Sequence, residues 1–378
     1  NTELAADTEA PADEIIVTGF RSSVESAQLE KRESSGVVDV IKAEDIAKFP
    51  DNNLAESLQR IPGVAISKEG GEGRSISVRG LGPDYTRVRI NGMEAIATTG
   101  GSDAGGGTNR GRGFDFNVFA SELFSSLTVR KTASASIEEG SLGATVDLQA
   151  ARPLDYRDEV VVAGSAKMGF NDLSKSWDPR LAGLVSWQNK DATFGVLVSA
   201  AYSERTIKET GHSTVRWGPS GANGGFNAAS TLAGFSVAQI NAAPANDGSN
   251  WGSLIYHPRI PRYDNWVNEV KRLGLTGAVQ WKPGDNTEVI IEGLYSKATT
   301  VRDENYISAL SFSRTGAAGK AQSIIRSGEV NSQNELVYGV FDQVDMRIES
   351  RHDELKTTFY QYNTILKQSR IDRFRVEG

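Results

Sequence analysis

The chain has 378 residues, 38% of them hydrophobic, no cysteine and a formal net charge of −7. Those figures exclude a disulfide scaffold, thiolate metal sites and cysteine catalysis, and the acidic balance argues against general nucleic-acid binding. No apolar run reaches the roughly 18 residues of a membrane-spanning helix, although barrels of alternating strands cross bilayers without any such run.

Residues 1–12 hold Glu3, Asp7, Glu9 and Pro11 with no positive charge. They read as a disordered leader, and their lack of basic and apolar regions fits a mature N-terminus rather than a signal peptide. DEIIVTG at 13–19 follows, a short extended segment (Glu14, Ile15, Ile16, Val17, Thr18) with nothing nearby to pair with. Such a tethered strand can be added to a partner's sheet; the alternative is an ordinary first strand.

Residues 20–155 read as an α+β unit. Val37, Val38, Val40 and Ile41 predict a strand, and 43–49 a short helix stopped by Pro50. Asn53 and Glu56 predict a capped helix with Leu54, Leu58 and Ile61 on one face, ended by Pro62-Gly63. A strand begins at Val64, a turn covers 68–74, and 77–95 predicts a hairpin whose second strand ends in Asn91-Gly92. Residues 97–113 form a Gly-rich loop with seven glycines from Gly100 to Gly113. Phe119, Leu123 and Leu127 predict a second helix or turn, LTVRK a strand, and 138–153 a turn, a strand and a proline stop.

From about residue 157 the pattern becomes period two. Phe194, Val196, Val198, Ala200 and Tyr202 share a face, as do Leu273, Leu275, Gly277, Val279 and Trp281, and Val289, Ile291 and Tyr295. Tight turns at 189–191 and 283–286 contrast with one long loop over 207–265. Short turns at one end and long loops at the other predict an outer-membrane barrel, with a soluble β-sandwich as the alternative.

Enzymatic chemistry finds no foothold. His212, His257 and His352 are the only histidines and have no metal-ligand spacing. The Gly-rich loop lacks the phosphate-binding pattern, and Glu138-Glu139 would point to opposite faces of a strand. No cofactor and no metal is expected.

LAESLQRIPGVAI (54–66), SVRGLGPDYTRVRINGMEA (77–95) and GSLGATVDLQAARP (140–153), with DEIIVTG ahead of them, resemble the plug domain and TonB box of TonB-dependent outer-membrane receptors. Ala144 stands where that family often has glycine. The wording of KFPDNNLAESLQRIPGV, ATTGGSDAGGGTN and RGFDFNVFASELFSSLTVRKTASASIEEGSLGATVDL resembles the proteobacterial subfamily that includes maltodextrin and other oligosaccharide transporters.

The resemblance implies an α+β plug (20–155) inside an antiparallel transmembrane β-barrel of about 22 strands. At about ten residues per strand, residues 156–378 would supply only its first strands, as the N-terminal part of a longer polypeptide. It implies active transport of a large nutrient, most readily an oligosaccharide. A ferric siderophore is the alternative, and a passive porin or adhesive barrel the different class. The implied location is the outer membrane of a Gram-negative bacterium, in contact with its lipid, with the N-terminus in the periplasm. The implied partner is TonB with its ExbB–ExbD energising complex, pulling on Glu14–Thr18.

Plug arginines Arg79, Arg87 and Arg89 would meet barrel carboxylates, or else form a solvated face. Ligand contacts would come from the Gly-rich loop (Asp103, Asn109, Arg110, Arg112) and from long-loop aromatics Trp217, Trp251, Tyr256 and Trp266. Their rings could stack on sugars, or instead pack the loop and line the membrane interface.

Overall fold

The computed structural model describes residues 18–42, 53–96, 112–135, 137–310, 312 and 322–369. Helix α1 (Thr18–Glu33) comes first, with Lys31 and Arg32 in its last turn where the helix dipole favours cations. Strand β1 (Val38–Lys42) follows. Helix α2 (Leu54–Leu58) is capped by Asn53, whose side chain accepts the Glu56 N–H at 3.0 Å. Gly63, at φ 80°, turns the chain into β2 (Val64–Glu69), which pairs antiparallel with β3 (Glu72–Val78).

After a 3-10 turn come β4 (Thr86–Ile90) and the two-residue β5 (Met93–Glu94). Asn91 and Gly92, at φ 52° and 85°, make the tight turn between them. With β6 (Phe124–Arg130) and β7 (Ala144–Ala150) these form a five-stranded sheet of order β1-β6-β7-β4-β5. Its β4–β7 pair is parallel. Leu54, Leu58, Ile76, Ile90, Leu127 and Leu148 are fully buried in its core; each contributes about 1.5–3 kcal/mol.

Several expectations change here. The 77–95 hairpin is not one: β3 pairs back on β2, and only the Asn91-Gly92 end forms a hairpin, with β5. The turn after β2 tightens to Gly70-Gly71. Phe119 and Leu123 fall on or beside 3-10 turns, while Leu127 lies in β6. Thr18 opens a helix and is not extended. Glu14, Ile15, Ile16 and Val17, the 43–49 helix, and residues 97–111 of the Gly-rich loop lie outside the described residues.

The second body is an antiparallel sheet of β8 (Val160–Asn171), β9 (Ser176–Gln188), β10 (Phe194–Thr214), β13 (Pro261–Gly284), β14 (Thr287–Ala309) and β17 (Met346–Gln368). One face packs on the first domain. The other presents Leu273, Leu275, Gly277, Val279 and Trp281 along β13, beside Val162, Val185, Val198, Ile291 and Tyr362. From Leu273 to Trp281 that apolar stripe runs about 27 Å along the strand, the length that a tilted strand of about nine residues uses to cross a bilayer. Glu204 and Lys271 pair across the strands beyond its upper edge, 2.9 Å apart. No described helix is long and apolar enough to cross a membrane.

At the end opposite the tight turns, two connections fold together as a cap. One carries β11 (Trp217–Pro219), helix α3 (Val237–Ile240) and β12 (Tyr256–Pro258); the other carries β15 (Ile324–Val330) and β16 (Leu336–Asp342). Phe226, Leu232, Ile255, Phe312, Ile325 and Leu336 give the cap its own core. The long loop is therefore 215–260 and not 207–265, because β10 and β13 keep pairing out to Thr214 and Pro261.

Candidate functional site at the domain–sheet seam

Charged side chains meet across the seam between the two bodies. Glu72, at the start of β3, is 1% exposed. It accepts from Arg205 on β10 at 3.1 Å and from Arg272 on β13. Burial pulls its carboxyl upward, but Arg272 and Arg205 outweigh burial and hold it below the ordinary glutamate range. Arg272 also donates to the Asn117 carbonyl at 2.5 Å, so one wall residue holds two segments of the domain. Within the domain Arg74 ties those segments together, through Asp115 at 3.1 Å and through Glu69. Asp115 is itself pushed upward by burial, more than Arg74 lowers it.

Other pairs extend the seam. Arg180 on β9 reaches Glu122 at 2.7 Å and the Ser121 hydroxyl at 3.1 Å. Arg152 makes a two-pronged contact to Glu292 on β14, at 3.1 and 3.2 Å. Arg302 on β14 lies 3.8 Å from Glu69 and 4.3 Å over the Trp266 ring. Neutral side chains on the wall bond the domain's backbone: Ser296 to the Val118 carbonyl at 2.6 Å, and Gln361 to the Ile90 carbonyl at 2.8 Å. Apolar contacts cross the seam as well: Phe119 meets Phe359 edge-on, Leu123 sits on the bare backbone of Gly274, and Ala201 and Leu294 of the wall are buried in the domain's core.

A polar cavity of about 60 Å³ opens beside the Gly70-Gly71 turn, lined by Glu69, Glu72, Arg74, Asp115, Asn268 and Arg302. The Asn268 amide nitrogen is buried there without a hydrogen-bond partner among the described residues. A space of that size and polarity admits water.

The arginines expected at this seam are elsewhere. Arg89 pairs with Asp147 at 2.5 and 2.8 Å, Arg87 with Glu138 at 2.9 Å and Glu94 at 3.3 Å, and Arg79 donates to the Gly143 carbonyl at 2.8 Å. All of these partners lie inside the domain. For Arg87 and Arg89 the reason is topological: β4 runs between β7 and β5, so its side chains meet neighbours within the domain before they can reach the wall, whereas Arg79, just after β3, is held by the backbone carbonyl of Gly143. At Glu72, Glu122 and Glu69 the polarity is also reversed, with carboxylates on the domain and arginines on the wall. The available signal was Arg272 alternating with Leu273 and Leu275, a charge on the face opposite the apolar one.

Of the expected ligand contacts, Asp103, Asn109 and Arg110 lie outside the described residues. Arg112 is fixed through its backbone N–H, which donates to Asp84 at 2.5 Å. Trp217, Trp251 and Tyr256 belong to the cap, where the Tyr256 hydroxyl donates to the Trp251 carbonyl at 3.4 Å and both indoles are exposed. Trp266 is separate from them: it lies within β13 and holds Arg302 against its ring.

Residues 30–145 match the family described as TonB-dependent Receptor Plug Domain. A ferric enterobactin receptor of Pseudomonas aeruginosa is 30% identical over 140 residues, 35% of this chain and 19% of that protein. The probable TonB-dependent siderophore receptor PirA of Acinetobacter baumannii is 24% identical over 334 residues, 73% of this chain and 42% of that one. The vitamin B12 transporter BtuB of Vibrio cholerae is 25% identical over 176 residues, covering 45% and 26%. The crystal structure of the A. baumannii PirA receptor aligns at a TM-score of 0.37 and 14% identity, over 89% of this chain and 46% of that one. The chain thus spans less than half the length of these relatives. Residues 30–145 carry the plug domain of a TonB-dependent receptor, and the seam is where that domain meets the strands that follow it.

Proposed function

We propose that this chain is the plug and first barrel strands of an outer-membrane receptor that imports a large nutrient using force transmitted by TonB. The observation that carries this reading is the seam itself. Beside its apolar contacts it carries many ion pairs and hydrogen bonds, which water can replace during movement at far less cost than exposing an equal apolar area. An apolar stripe on the opposite face of the same strands supplies the membrane contact. In this reading residues 20–155 are the plug, 156–378 the wall and cap, and Glu14–Val17, just ahead of α1, the segment that TonB, energised by ExbB–ExbD, would pull on.

For the ligand, the relatives favour a ferric siderophore over the maltodextrin that the subfamily wording suggests. The PirA likeness runs over 334 residues and so reaches beyond the plug. A vitamin B12 transporter is 25% identical over 176 residues, so likeness of that extent does not by itself set the cargo. Oligosaccharide remains the second reading because the cap displays Trp217 and Trp251 to solvent. Contacts from Asp103, Asn109, Arg110 and Arg112 would serve either cargo.

The test is uptake by cells expressing the full receptor, with iron-labelled enterobactin and labelled maltoheptaose in parallel. Siderophore uptake that stops on collapse of the proton gradient, and in Ile16→Pro, supports the proposal. Uptake indifferent to both treatments would place the protein among passive barrels. Maltoheptaose uptake alone would reinstate the sugar reading.

A further inference from the structure

We propose that the cap is an acid-labile roof, in which protonation of His257 separates the two connections that it joins. His257 sits on β12 opposite Gly218 of β11 and is 2% exposed. Its ring packs edge-on to Phe226 of the first connection, centroids 5.0 Å apart, and to Phe312 of the second at 6.2 Å. Phe312 in turn lies 4.6 Å from Phe341 on β16, so the imidazole is the apolar filling between both halves of the cap.

The hydrogen bonding fixes its chemistry. Nδ1 is 2.8 Å from the Pro258 carbonyl, which can only accept, so Nδ1 carries the proton. Nε2 is buried with no partner among the described residues. A second proton would therefore place an N–H and a full charge among phenyl rings with no acceptor among the described residues. Around the ring, Arg216 and Arg259 flank β11 and β12, and the other titratable side chains on β12, β15 and β16 and at the Tyr256 bridge are Tyr256, Arg326, Glu329, Glu335, Tyr338 and Asp342. Burial dominates them and depresses the imidazole, against a weaker opposing pull from the Pro258 carbonyl.

Neutral contacts also join the two connections. These include the Thr231 N–H to the Ile325 carbonyl at 2.8 Å and the Asn334 amide to the Gly252 carbonyl at 2.6 Å. With the folded pKa lowered, the closed cap is favoured above the unperturbed histidine value. It loses ground as pH falls below it, by up to about tenfold in the opening equilibrium per pH unit.

Hydrogen exchange of the full receptor in detergent, corrected for intrinsic rates, tests this without ligand or TonB, so its outcome is independent of the transport reading. Peptides from 215–260 and 322–345 should lose protection between pH 7.4 and 5.5, while β13–β14 peptides hold theirs. His257→Met should remove the acid step. Unchanged cap protection in the wild type, or the same step in His257→Met, overturns the proposal. If the variant's cap is already open at pH 7.4, ring NMR of wild-type His257 decides. Charging at the unperturbed value while the cap stays protected refutes the proposal; charging only as protection is lost upholds it.

Discussion

Glu72 is the seam carboxylate on which two wall arginines, Arg205 and Arg272, converge. Removing its carboxylate leaves the buried Arg272 and the part-buried Arg205 without their shared partner, so Glu72→Ala should loosen plug seating by about 3–5 kcal/mol. Urea titration followed by hydrogen exchange of residues 64–78 would read that loss. A pH dependence follows from the same pair. Glu72 is held below its ordinary value of 4.5, so its contribution is complete above that pH and is lost as pH falls through the depressed folded value. Asp39, lowered by Lys131 and Lys31 against the pull of burial, acts in the same sense at the surface. Asp115, raised by burial, acts in the opposite sense. Acid loosening of β2–β3 should therefore set in below about pH 4.5, and Glu72→Gln should flatten it. The sequence revealed that these charges exist but not whom they meet. Arg87 and Arg89 alternate with Val88 and Ile90 as a charged strand face should, yet their partners depend on which strand lies alongside.

Among elements, Leu123, in the 3-10 turn 121–123, approaches the backbone of β13 closely at Gly274. A Cβ at Gly274 would come within 2.3 Å of the Leu123 side chain. Gly274→Val should push the 121–123 turn off the wall and weaken the neighbouring Arg180–Glu122 pair, destabilising by about 1–3 kcal/mol. Faster exchange at residues 121–130, with β13 itself unchanged, would confirm the direction. The elements with strong punctuation were legible: Asn53 with Pro62-Gly63 around α2, and Asn91-Gly92 before β5. Two were not. Helix α1 has polar residues on most of its surface and Leu29 half exposed, so it lacks the apolar stripe that announces a helix. The pairing of β3 with β2, and of β4 with β7 across more than 50 residues, is a tertiary choice that local alternation cannot specify.

At the scale of the whole molecule, the six-stranded sheet separates two environments by side-chain parity. Val198 points out of the middle of the apolar stripe, level with Gly277, Gly293 and Tyr362. Val198→Arg should cost about 2–4 kcal/mol, whereas Thr358→Arg at the stripe's edge should cost about 0–1. Refolding yields into lipid vesicles, compared by heat-modifiable gel mobility, would rank the two. Parity was readable from Phe194 to Tyr202 and from Leu273 to Trp281, so the outward face was legible. The cap was not, because its core joins residues as distant as Phe226 and Leu336. Sheet order has a mechanical consequence too. β1 lies at the rim of the plug sheet, and its first pair, Val38 with Arg130, is where the chain arrives from α1. Tension entering from the N-terminal side thus loads its rungs singly, like a zip, while Arg272 and Arg152 moor the remainder to the wall. In single-molecule pulling, the first rip should free residues 18–42 and leave the rest seated: a fuse placed ahead of the lock.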